Sequence, residues 1–404
     1  MTLDDAPFID TLSPAYDADI HAAHRAARER SWLARTPYGF LLLRYEDVHW
    51  CLRDARFHEL GAGALAQAGI AGGPLHDWFH SILSNKEGEE HARLRRLVAK
   101  AFTPRQVERL RPVMRATANE FLDRVAPAGR SEVVADFAAP YPVRVIGSLL
   151  GVPPDDYARF HAWSTDLSLA FGSKLASELP RIERALGNLL DYTDGLIERQ
   201  RREPGEDLTT ALIAARDEGD RLSPEELRAM ITVLIFGGQD TTQCQLACAI
   251  ATFLAHPDAW RRVAREPALA ASAAEEVLRY EPAGSGSPRI ATCDVERHGV
   301  VLPAGTVVHP SGPAANRDPR VYADPDRFDV ERAHPQPMLT FGGGAHYCLG
   351  ASLARAEIQE ALPILARRLP ALAPDGEAVW RTGALIRGPE RLPVRFAPSA
   401  AGAH

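Results

Sequence analysis

Apolar residues recur at spacings of three and four through most of residues 105 to 222, a helical pattern interrupted at Pro127 to Gly129, Gly151 to Pro154 and Pro204-Gly205. The sharpest helix start lies just beyond. Ser223 stands at the N-cap position, Pro224 in the first turn and Glu226 three residues after the cap. The periodicity then continues to His256-Pro257, a run that at ~1.5 Å per residue spans roughly 50 Å. Its middle, Met230 to Phe236 and Leu246 to Leu254, is apolar on nearly every side, which predicts a buried helix crossing the molecule. Strand-like runs are fewer: Gly39 to Tyr45, then Arg289 to Val308. Gly61 to Gly73 reads as a long loop and Asn316 to Arg332, rich in Pro, Asp and Arg, as an irregular segment. Together these predict a mainly α chain with a smaller β-rich region. Neither a linker-like break nor an internal repeat divides residues 1–404, so a single domain is expected.

Against that pattern, some residues break the local rules. Gly237-Gly238-Gln239-Asp240-Thr241-Thr242 sits inside the buried helix, where each glycine costs roughly 0.5–1 kcal/mol relative to alanine and a buried carboxylate costs more unless partnered. Two readings compete there: small residues packing helix on helix, or a flat ligand approaching the backbone with the Thr241 hydroxyl beside it. Cys244 and Cys248, one turn apart in apolar surroundings, read as small core residues. His91 and Arg95 share a face of a basic helix and can point at one anion. Arg93, Arg96 and Lys100 occupy other parts of its surface, either a solvated face or a docking site for an acidic partner. Glu276 and Arg279 can pair on a second helix, with Arg327 completing a buried network. Most distinctive is Phe341-Gly342-Gly343-Gly344-Ala345-His346-Tyr347-Cys348-Leu349-Gly350, a glycine turn joined to one cysteine immediately before a helix. A helix N-terminus and inward backbone N–H groups favour the thiolate, so this turn can present Cys348 to a large flat ligand.

Composition narrows the classes. A chain that is 46% hydrophobic and 25% charged can bury a large core, and the net charge of -7 argues against general nucleic-acid binding. The acidic start, Met1-Thr2-Leu3-Asp4-Asp5, leads into no signal-length apolar run, and the most apolar stretches fall well short of the ~20 residues of a membrane span. Five scattered cysteines fit a reducing compartment. A cytoplasmic, membrane-free protein is therefore expected.

These features agree with one family. Over essentially its full length the chain resembles the cytochrome P-450 superfamily of haem-thiolate monooxygenases, the soluble bacterial type. The signature F-G-x-G-x-H-x-C-x-G is met at Phe341, Gly342, Gly344, His346, Cys348 and Gly350, and the oxygen-activating pattern at Gly237, Gly238, Asp240 and Thr241. E-x-x-R is met by Glu276 and Arg279, its partner motif by Pro325-Asp326-Arg327-Phe328. The resemblance implies the cytochrome P-450 fold, a haem b cofactor, Cys348 as axial iron ligand, and His91, Arg95, Arg289 and His346 on the two propionates. It implies Asp240 and Thr241 as the acid-alcohol pair that passes protons to dioxygen. Pocket contacts are expected near Leu234, Gly237, Ala283, Ser285 and Ile386, suited to a hydrophobic substrate of secondary metabolism. Too little chain follows Cys348 for a fused flavin reductase, so electrons are expected from a ferredoxin or flavodoxin and its reductase. Asp240 and Thr241 count against a peroxide-using or isomerising enzyme, and the lack of an output domain counts against a haem carrier or sensor. One departure from the family stands before His91, where Glu87-Gly88-Glu89-Glu90 replaces Asp-Pro-Pro-Glu.

Overall fold

The computed structural model describes residues 2–172, 175–215 and 220–399. Its axis is the helix Pro224–Ala255, 32 residues long. The expected start is present as a capping box: the Ser223 hydroxyl accepts from the Glu226 backbone N–H, and the Glu226 carboxylate accepts from that of Ser223. Two backbone donors that a helix start leaves without partners are thereby satisfied.

Around this axis pack the helices Pro140–Leu150, Tyr157–Ser168, Leu175–Arg202 and Ala270–Tyr280, with Ala351–Arg368 and Pro104–Val125 forming a further layer. One continuous apolar cluster runs through them, from Leu65 through Phe160, Ile235 and Ile250 to Leu365. The breaks fall as read: Gly129 and Gly151 both take left-handed conformations where a helix ends. Gly61 to Gly73 differs from expectation, because Ala62–Gln67 forms a short helix there and Pro74–Ser81 follows with another. Leu65, Leu75, Trp78 and Phe79 bury an apolar face that outweighs the helix-breaking glycines.

The β-rich part is a five-stranded sheet in the order Leu33–Thr36, Gly39–Leu42, Val307–Pro310, Arg289–Ala291, Phe57–Glu59. Its register sets Arg289 directly across from Glu59, which later matters for the site. Among the described residues three smaller sheets complete it, one of them the pairing of Val379–Trp380 with Pro389–Arg391. No helix among the described residues is long and apolar enough to cross a membrane.

Candidate active site

The cysteine turn is held from several sides. The Cys348 backbone N–H donates to the Phe341 carbonyl at 2.9 Å and closes the loop. Gly344 sits at φ +65°, where a Cβ would stand 2.3 Å from the Leu52 carbonyl oxygen, so no other residue fits without moving backbone. Arg355, one helix turn into Ala351–Arg368, lies 4.5 Å over the Phe341 ring, donates to the Tyr347 hydroxyl at 3.1 Å and is anchored by Glu275 at 2.6 Å. Cys348 keeps solvent-accessible surface although protein surrounds it on most sides. Burial pushes its thiol up; the backbone N–H groups of Gly350 and Ala351 and the guanidinium groups of Arg95 and Arg355 pull the other way. The helix-start effect read from sequence is thus present, but burial outweighs it in the bare protein.

The turn is connected to a charged centre with no solvent contact. Glu276 and Arg279 are both 0% exposed and doubly bonded, at 2.7 and 2.8 Å. The other Arg279 donors reach the carbonyls of Asn316, Pro325 and Arg327, so all five guanidinium N–H groups have acceptors. Asn316 in turn accepts from the Leu339 backbone and donates to the Thr340 hydroxyl, which reaches the Leu278 carbonyl. The buried pair thereby fixes the irregular segment, and that segment fixes the residues entering the cysteine turn. Arg327 does not complete this network with its side chain, which is largely exposed and pairs with Asp329. Arg332 supplies the second cation instead, its Nε 3.2 Å from the Glu276 carboxylate. Arg327 contributes only its carbonyl, because the backbone turns inward there while the side chain turns out.

On the long helix the glycines divide. Gly238 packs against its neighbour: a Cβ would lie 2.7 Å from Ile146 of Pro140–Leu150. It is a packing glycine, contrary to the cofactor-facing role expected. Gly237 has nothing within 4 Å of its Cβ direction, and both Gly237 and Thr241, one turn apart, keep exposed surface while Phe236, Gln239, Asp240 and Thr242 are buried. One stripe of this buried helix therefore faces open space. The Thr241 hydroxyl donates to the Gly237 carbonyl at 2.7 Å, so its lone pairs remain to accept from a ligand or water. Asp240 is 4% exposed and held by both Nη atoms of Arg381, at 2.8 and 2.9 Å. Arg381 follows the strand Val379–Trp380 and had no signal in the sequence, since its partner is 141 residues away.

The four expected anion binders meet. His91 and His346 rings lie 4.2 Å apart, Arg95 reaches the Tyr347 carbonyl at 2.6 Å, and Arg289 is buried nearby. Two carboxylates that sequence reasoning missed stand among them. Glu59 pairs with Arg289 at 2.8 Å, as their cross-strand register demands, and Glu87 with His346 at 3.1 Å. Burial raises the Glu59 carboxyl and, with His346 and Arg95 alongside, lowers His91 to about 4. His91 is thus held in its neutral form near pH 7. Arg289 Nε is buried with no partner, a donor still open to an anion.

Of the expected pocket residues, Leu234 is half-buried and Ser285 is tied to the Leu385 carbonyl at 2.8 Å. Ala283 is 2% exposed and packs with Cys244, Cys248, Trp380 and Ile386, so it belongs to a small core rather than a pocket wall. The two cysteines are core residues, as read. Arg93 pairs with Asp220 and Glu226, which takes it out of an open docking face.

The sequence profile of the cytochrome P450 family matches residues 165–382. The chain belongs to the cytochrome P450 family. Curated relatives of this P450 include luteothin monooxygenase of Streptomyces thioluteus, 38% identical over 97% of this chain and 96% of the relative. Nocardicin C N-oxygenase of Nocardia uniformis subsp. tsuyamanensis is 41% identical over 95% and 96%. Among solved structures, cytochrome P450 CYP109Q5 from Chondromyces apiculatus has a TM-score of 0.89 at 32% identity, covering 98% of this chain and all of its own. The P450 is accordingly a haem-thiolate monooxygenase that uses dioxygen, reducing equivalents from redox partners and a small-molecule substrate. Its residues fit the cofactor: a solvent-accessible cysteine at a helix start, a helix stripe facing open space at Gly237 and Thr241, and an unpartnered buried donor on Arg289 beside two histidines.

Proposed function

We propose that this P450 is a single-domain cytoplasmic enzyme that holds haem b and hydroxylates a hydrophobic product of secondary metabolism, with electrons from a ferredoxin or flavodoxin and its reductase. The observation that carries the proposal is the accessible Cys348 thiol at a helix start together with the open Gly237–Thr241 stripe. Relatives named for oxygenating luteothin, nocardicin C and mycinamicin IV support the substrate class. Haem, when bound, supplies the iron that activates dioxygen, and a thiolate ligand favours O–O cleavage.

Each residue then has a task. Cys348 would hold the iron through its thiolate sulfur, with Arg95, Arg355 and the backbone N–H groups of Gly350 and Ala351 stabilising that charge. Phe341, Gly342 and Gly350 shape the turn. Arg289, Arg95, His91 and His346 would hold the propionates. Gly237 leaves room for the ligand plane, while Leu234, Ser285 and Ile386 stand near the substrate. The Thr241 hydroxyl accepts a hydrogen bond on the open side while donating to Gly237, which orders a water for proton transfer. Asp240, adjacent in the chain and clamped by Arg381, is the carboxylate that would exchange protons with that water.

Thr241→Ala tests the relay. Reductant consumption is expected to continue while a larger share ends as hydrogen peroxide rather than hydroxylated product. Full coupling in that variant would remove Thr241 from proton delivery. The substrate itself is found by screening hydrophobic metabolites for a high-spin shift of the ferric enzyme.

A further inference from the structure

On the helix Pro74–Ser81 the buried face carries Leu75, Trp78 and Phe79, and the outer face carries His76, Asp77 and His80. The two histidines are one turn apart, with their Nε2 atoms 3.1 Å from each other. Asp77 Oδ1 lies 3.2 Å from Nδ1 of His76. An ionised carboxylate only accepts, so Nδ1 of His76 carries the ring proton and its Nε2 presents a lone pair toward His80. We propose that His76 and His80 form a surface site for a divalent transition cation, oriented by Asp77.

The spacing of the two nitrogens suits such an ion. Two nitrogens at ~2.0–2.1 Å from one metal stand about 2.9 Å apart at a right angle and about 3.4 Å apart at the tetrahedral angle. The observed 3.1 Å falls between these limits. In the metal-free protein the His80 Nε2–H donates to His76. On binding, His80 takes the tautomer with the proton on Nδ1, both Nε2 lone pairs turn to the cation, and no proton is released. A carboxylate on the far nitrogen of a ligating histidine fixes its tautomer and raises its basicity, which is the role open to Asp77. With two protein ligands the remaining positions belong to water, so the site is exchangeable, and imidazole nitrogens select Zn²⁺, Ni²⁺ or Cu²⁺ over Mg²⁺ or Ca²⁺. A competing cluster, Glu46, Asp47 and His298, is already engaged, since Asp47 Oδ1 takes both Arg297 and His298 at 2.8 Å.

The inner face of the helix gives the site a consequence. Phe79 stacks on Phe171 at 5.3 Å, and Phe171 on Phe236 at 4.6 Å, next to Gly237. A cation bridging positions one turn apart stiffens the helix that carries the outermost ring of this stack.

The test is isothermal titration of tag-free holoenzyme with Zn²⁺ alone and with Ni²⁺ alone. One micromolar site is expected in the parent, absent in His76→Asn and in His80→Asn, and weakened ~10-fold or more in Asp77→Asn. All three side chains are at the surface, and matching thermal melts in the absence of metal establish that the variants fold. Binding that survives both histidine substitutions overturns the site. An unchanged affinity in Asp77→Asn overturns the orienting role and reduces the pair to an adventitious chelate.

Discussion

Arg279→Met is expected to remove a large part of the protein's stability. The substitution leaves the Glu276 carboxylate fully buried, its remaining cation the 3.2 Å contact from Arg332, and it frees the Asn316 and Pro325 carbonyls that the guanidinium had satisfied, while the Arg327 carbonyl keeps Arg332 at 2.7 Å. Breaking a buried pair from one side costs about 3–5 kcal/mol, set against a typical total of ~5–15 kcal/mol. The damage reaches the cysteine turn through Asn316 and Thr340, so haem retention should fall with the denaturant midpoint. Urea unfolding followed by both the Soret band and circular dichroism reads the two together. Arg327→Ala serves as the contrast: its side chain lies outside the network, and an unchanged midpoint is expected. A large loss there would restore Arg327 to the place that Arg332 holds.

For Asp240→Asn the expected loss is in turnover rather than in fold. The amide keeps the shape and can still meet Arg381, but it carries no acid. General acid-base groups contribute ~10²–10⁴-fold, so product formation should drop by at least about 10²-fold while the substrate-induced spin shift keeps its midpoint. The solvent deuterium isotope effect should rise as proton delivery becomes limiting. Arg381→Lys keeps the positive charge but loses the two-pronged grip, so an intermediate rate is expected. If Asp240→Asn turned over at the parental rate, the carboxylate would be only the structural partner of Arg381.

What could be read without coordinates was whatever is written locally. Ser223 and Glu226 lie three residues apart and announce their helix; the glycine turn carries its own cysteine; Glu276 and Arg279 share a helix turn. The misses are relations between distant segments. Arg381 reaches Asp240 across 141 residues, and Glu59 meets Arg289 only because two strands pair in that register. Gly237 and Gly238 are indistinguishable in sequence, and only the position of Ile146 decides which packs and which faces open space. Arg332 rather than Arg327 completes the buried network because the irregular segment turns its carbonyls inward, a feature of loop geometry that composition does not encode. Glycine content likewise hid the helix Ala62–Gln67, whose buried Leu65 overrides it.

The Cys348 sulfur is the group that would hold the haem iron, and the spectrum of the reduced carbon monoxide complex reads this. The parent protein should show the red-shifted Soret band that a thiolate ligand produces, and Cys348→Ser should lose it while Cys293→Ser, altering an exposed cysteine elsewhere, keeps it. A red-shifted band persisting in Cys348→Ser would contradict the account.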